Sequence, residues 1–159
     1  MIQSLSNPTS NPVSEFIEQR SDRVRDHSAS SANRRIDERA SARVEHVIAR
    51  GRDAVIRRLA ELDQEWDVDR ALMVNFAIAG GAAYATGLYR YGQSPWLGRR
   101  RKGWLYFFSA QLGFLLLHGT LGWCPPLPVF RRLGVRTKTE IEAERQALQR
   151  ALPALNEGA

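Results

Sequence analysis

The chain carries a single cysteine, Cys124, so no disulfide can close within it and no Cys-x-x-Cys pair is present to hold a metal or exchange electrons. Its three histidines, His27, His46 and His118, are spread without ligand spacing. No phosphate-binding glycine loop, zinc motif or Ser-His-Asp set can be read in the chain. Alternation of polar and apolar residues never runs far enough to specify a sheet, and there is no internal repeat, so an all-α chain is expected. The first residues lack the basic start and apolar run of a cleavable signal peptide. Charge is the most informative absence. None of the 23 basic and 17 acidic residues falls in the windows 71–89 or 103–130.

Each window is close to the roughly 20 apolar residues that a helix needs to cross a hydrocarbon core about 30 Å thick. The expected architecture is therefore a two-helix transmembrane hairpin, with spans at about 71–90 and 103–123. In the first span Ala71, Asn75, Ala79, Ala83 and Gly87 recur every four residues, and in the second Ser109 and Gly113 repeat that spacing. Small residues on one helix face let a neighbouring backbone approach, so these positions form the expected helix-packing face. Trp96 in the connection, and Trp104 and Trp123 at the two ends of the second span, suit the headgroup level, as does the basic block Arg99, Arg100, Arg101 and Lys102. Pro125, Pro126 and Pro128 forbid a continuing helix and impose a corner after the second span.

The flanks divide as follows. Residues 1–33, rich in Ser and Asn, read as a disordered polar arm with one short mixed patch near Phe16. Residues 34–63 place Ile36, Ala40, Val44, Val47 or Ile48, Val55, Leu59 and Leu62 at helical spacing, with a break expected at Gly51. Acidic and basic residues nearly balance there, which favours packing on protein over lying on a membrane. The hairpin unit occupies 64–137. An amphipathic tail helix occupies 138–159, with Thr137 and Glu140 at capping-box spacing, a stripe of Ile141, Leu148, Leu152 and Leu155, and Pro153 as its expected limit.

The net charge of +6 raises nucleic acid as a partner, but its distribution does not support one. Residues 1–70 hold 12 basic and 13 acidic groups, whereas 90–102 hold five basic and none acidic. The basic excess flanks the apolar windows, where anionic headgroups attract it, so no nucleic acid is expected. Within the spans, Asn75, Gln111 and His118 read as polar groups that hydrogen-bond across the hairpin or between copies. A thiol- or haem-dependent alternative would use Cys124 and His118, but one His and one Cys fall short of a ligand set. Asp63, Glu65, Asp67 and Asp69 read as a solvated acidic run. No catalytic residue, metal or cofactor is assigned, and the chain is not expected to be an enzyme.

The stretch Asp63-Gln64-Glu65-Trp66-Asp67-Val68-Asp69-Arg70-Ala71-Leu72, the two spans, and above all the run from Gly122-Trp123-Cys124-Pro125-Pro126 to Arg136-Thr137 resemble the YgaP-type bacterial inner-membrane domain. The resemblance covers roughly residues 60–150. It implies a self-associating hairpin in the cytoplasmic membrane with no assigned activity. Some such proteins carry a rhodanese domain ahead of the hairpin. Here the first 70 residues are too polar for its sheet and hold no cysteine to carry sulfur, so sulfur transfer is not carried over. The expected partners are the lipid bilayer, further copies of the chain, and a cytoplasmic protein docking on the flanking helices. Seven basic residues near the terminal flanks against five in the loop favour cytoplasmic termini.

Overall fold

The computed structural model describes residues 12–93 and 103–157, and every regular element among them is helical. In chain order these are α1 (Pro12–Glu18), α2 (Arg23–Asp26), α3 (Ser30–Ala49), α4 (Arg52–Gln64), α5 (Val68–Gln93), α6 (Gly103–Leu121), α7 (Leu127–Leu133) and α8 (Lys138–Glu157). Trp96, Arg99, Arg100, Arg101, Lys102 and residues 1–11 lie outside the described residues.

The flanking helices pack on one another. Ala40, Val44 and Val47 of α3, Val55 and Leu62 of α4, and Ile141, Ala147 and Leu148 of α8 form one buried cluster. Apart from Ala147, these belong to the stripes that helical spacing predicts, and removing them from water drives the assembly. The break at Gly51 is present: its φ of 86° and ψ of −176° are tolerated by glycine and separate α3 from α4.

Residues 12–33 do not form the disordered arm that composition suggests. From Pro12 onward the chain forms α1 and α2, and Val13, Phe16 and Ile17 enter the same cluster against α3 and α8. A seven-residue helix cannot stand alone in water, so its stability comes from this docking and leaves little local trace.

The expected corner is present, since α6 ends at Leu121 and residues 124–126 lie outside any helix, but a new helix follows it at once. Pro126 caps this helix and Pro128 stands in its first turn, where the missing N–H is no loss. At the other end, Pro153 does not terminate α8, which runs on to Glu157. So near the C-terminus the proline forfeits little beyond one backbone hydrogen bond.

Helices α5 and α6 lie against each other as the expected hairpin, about 39 Å and 28 Å long at 1.5 Å per residue. Its base is a second buried cluster of Val24, Val68, Leu72, Phe76, Cys124 and Leu127. Backbone contacts lock it there. Val68 N–H donates to the Arg136 carbonyl at 2.8 Å, and the Arg23 guanidinium donates to the Thr120 carbonyl at 2.7 Å, satisfying an orphan acceptor at the end of α6. Gly122, with φ 74°, brings the chain so close to α2 that a Cβ would stand 2.7 Å from that of Arg23 and 3.0 Å from its carbonyl carbon.

Gly51→Ala is expected to cost about 1–3 kcal/mol from backbone strain alone, because the space around it is open. Gly122→Ala should cost more, since the same strain is joined by a backbone collision. Thermal unfolding of the two variants side by side checks the order.

Candidate functional site

Helices α5 and α6 meet the helical domain at the hairpin base, and within that domain α8 gathers the charged side chains. The capping box forms as the spacing predicts. Thr137 N–H donates to Glu140 Oε2 at 2.8 Å, and Glu140 N–H donates to Thr137 Oγ1 at 3.3 Å. What the sequence reading did not assign is the second task of that carboxylate. Glu140 is buried and accepts both Arg131 terminal nitrogens, at 2.7 and 2.6 Å, together with a hydrogen bond from Arg25. Arg25 also forks onto Asp37 at 2.9 and 2.8 Å, and Arg131 donates to Asn33 at 2.7 Å.

One helical turn on, Glu144 is equally buried and receives Arg43 at 3.0 Å, Arg58 at 2.7 Å, and Arg136. Arg58 and Arg136 each reach on to Glu65, at 3.0 and 2.8 Å. Five arginines from five parts of the chain thus meet two carboxylates on α8. Burial by itself would raise the Glu144 carboxyl pKa, but the hydrogen bond from Arg58 and the charges of Arg136, Arg43 and Arg58 hold it below the ordinary value. Arg58 is held firmly protonated: burial opposes its charge and Glu144, Glu61 and Glu65 more than restore it.

The acidic run at 63–69 is not merely solvated. Asp63 pairs with Arg145 at 2.6 Å, Glu65 joins the arginine cluster, and Asp67 accepts the Arg70 N–H at 2.7 Å at the start of α5. Asp69 Oδ1 accepts a hydrogen bond from His118 Nε2 at 3.1 Å. Four residues that look alike in sequence hold α8, α4, α5 and α6 respectively. Each is oriented by a partner distant in sequence or by a helix end, which composition does not reveal.

His118 on α6 pairs across the hairpin with Asp69 on α5, and its Nδ1 is buried without a hydrogen-bond partner among the described residues. Gln111 Oε1 is likewise buried and unpartnered, close against Gly80, where a Cβ would stand 3.0 Å from it. Asn75 is half-buried on α5. His118 lines an open cleft of about 340 Å³ with Asp22, Arg23, Asp69, Thr137 and Lys138.

Of the expected packing face, Ala83 is buried, Ala71, Ala79 and Gly87 are half-buried, and a Cβ on Gly87 would stand 3.3 Å from that of Trp104. The buried line on α5 nonetheless runs through Leu72, Phe76, Gly80 and Ala83, one residue off the small-residue register in its first half. On α6 the expectation fails for the intramolecular contact. Ser109 and Gly113 are exposed, and a Cβ on Gly113 would meet nothing within 4 Å. The bulky Phe108 takes that place, with its ring 5.9 Å from that of Tyr84. Large side chains on α6 therefore fill the space that small ones on α5 leave.

Cys124 is fully buried at the hairpin base, and burial pushes its thiol pKa up, only partly offset by the Leu127 N–H. That environment disfavours the thiolate, which is the reactive form. Among the described residues no three His, Cys, Asp or Glu side chains cluster to hold a metal ion.

Glu144→Gln should destabilise the fold by about 3–5 kcal/mol, because it strands buried guanidinium charge. Glu61→Gln, at an exposed partner of Arg58, should cost no more than about 1 kcal/mol. Denaturant titration of detergent-solubilised protein, followed by circular dichroism, separates the two. The folded Glu144 carboxyl titrates below its unfolded value. Its contribution is therefore complete above the ordinary glutamate pKa of 4.5 and is lost as the pH falls from there through the folded value. Wild-type stability should drop in that acid window, with a smaller drop in Glu144→Gln.

No family model matches the chain, and neither a curated protein nor a solved structure gives a match to it.

Proposed function

We propose that the chain is a non-enzymatic integral protein of the bacterial cytoplasmic membrane, in which the hairpin anchors the packed helical domain and the domain offers a docking surface to another protein. The observation that carries this reading is the exposure of the most apolar element. Both α5 and α6 lie in stretches long and apolar enough to cross a membrane, yet no residue of α6 is buried. Ile78 is 68% exposed and Leu116 70%. An apolar helix at the core of a water-soluble protein would be covered, since each large aliphatic side chain left in water forfeits about 1.5–3 kcal/mol. Surrounding lipid removes that cost. The YgaP-type resemblance of residues 122–137 supports the same reading.

The flanking helices and both ends of the hairpin lie on one side, so cytoplasmic termini leave only the connection between the spans to cross the membrane. Self-association fits the outward face of α6, where Ser109 is exposed and Gly113 open. A thiol- or haem-based activity has less support, because Cys124 is sealed and His118 already pairs with Asp69.

Alkaline carbonate and high-salt extraction of membranes from cells expressing a tagged copy should leave the protein in the pellet. Release into the supernatant would overturn the membrane reading. Crosslinking in mild detergent should trap dimers that Gly113→Leu weakens several-fold, whereas an unchanged yield would remove α6 as the self-association face.

A further inference from the structure

The short helix α7 is apolar on both sides. Its inward side carries Leu127, the partly buried Phe130 and Arg131, and Arg131, only 1% exposed, is consumed by Glu140. Its outward side carries Pro128, Val129, Arg132 and Leu133, with Val129 57% and Leu133 74% exposed. Helical spacing puts these four on one continuous face. With its inward side already packed, a further outward face of valine and leucine beside one arginine fits a surface that is apolar below and anionic above.

Position identifies what that is. Helix α6 ends at Leu121, Cys124 is already buried in the hairpin base, and α7 begins at Leu127. The exposed face of α7 therefore continues the exposed apolar surface of the hairpin through Leu121 and Trp123, both also exposed. On the α5 side of the same base, the exposed Trp66 ring is stacked under the Arg70 guanidinium, 4.7 Å from its centroid. Aromatic rings and arginines at one level, around the point where two apolar helices emerge, match the chemistry of phospholipid headgroups above an acyl boundary.

We propose that α7 lies in the headgroup layer of the bilayer, with Val129 and Leu133 dipping toward the acyl chains and Arg132 reaching lipid phosphates. This rests on the membrane reading of the hairpin and adds to it a specific partner surface. The helical domain is then seated on the membrane by α7 and the Trp66–Arg70 pair. Arg131 and Arg132, adjacent in sequence, divide their tasks: one closes the domain core and the other faces lipid.

The test uses the full chain with one cysteine added at a time, Leu133→Cys on α7, Leu112→Cys within α6 and Gln149→Cys on the exposed side of α8. Buried Cys124 is left in place and the unmodified chain serves as the labelling blank. Each is labelled with an environment-sensitive NBD fluorophore in mild detergent. The proteins are then reconstituted into vesicles of phosphatidylethanolamine and phosphatidylglycerol. At Leu133→Cys the emission should be blue-shifted, quenched by nitroxide on the lipid chains, and several-fold less sensitive to aqueous iodide than at Gln149→Cys. Val129→Cys, on the same face, should repeat that pattern. If Leu133→Cys is as open to iodide as Gln149→Cys while Leu112→Cys is quenched only from the lipid, the placement of α7 is overturned and the hairpin stands. If Leu112→Cys is itself open to iodide, both readings fall.

Discussion

Glu140 and Glu144 sit one turn apart on the inner side of α8, and five arginines from α2, α3, α4, α7 and the link into α8 close on them. Arg25 comes from α2, Arg43 from α3, Arg58 from α4, Arg131 from α7, and Arg136 from the link into α8. A buried ion pair contributes less to net stability than its Coulomb energy suggests, because both charges must first be stripped of water. Its geometry is nevertheless demanding. Any register of α8 other than this one would strand buried guanidinium groups. The cluster therefore fixes how the helices meet, while the apolar cluster of α1, α3, α4 and α8 supplies the drive to bury surface.

That arrangement also ties the domain to the hairpin. Arg131 belongs to α7, directly after the second span, and Glu140 receives it on α8 while capping that helix through Thr137. Val68 at the start of the first span bonds to the Arg136 carbonyl, and Arg136 itself grips Glu144 and Glu65. The spans and the domain are thus fastened by shared residues. A force on the hairpin base or on α8 reaches the other without passing through a loose linker.

The fold class and the hairpin were legible because they depend on long periodic or charge-free stretches. Ile36, Ala40, Val44 and Val47 repeat at helical spacing, Gly51 interrupts them, and the windows 71–89 and 103–130 are free of charge. The candidate site was less so. Glu140 and Glu144 lie on the same helical stripe as Leu148 and Leu152, and a carboxylate twice on an apolar stripe was a signal that each is buried against a cation. Which arginines answer it is not written locally, since Arg25 and Glu140 are more than a hundred residues apart. Likewise Ser109 and Gly113 share the small-residue spacing of the first span, but rotation of α6 turns them outward and brings Trp104, Phe108 and Gln111 to α5.

The helical character of the described residues, the course of the two long apolar helices, the break in α3 and the cap of α8 can all be read along the chain, because each follows from backbone sterics, hydrophobic spacing or a bond three residues long. The docking of Val13, Phe16 and Ile17, the division of the 63–69 carboxylates among different helices, and the inward turn of Arg131 beside an outward Arg132 arise only on folding. Those outcomes depend on partners distant in sequence. A short helix or a charged side chain takes its place from what surrounds it after folding, not from its neighbours along the chain.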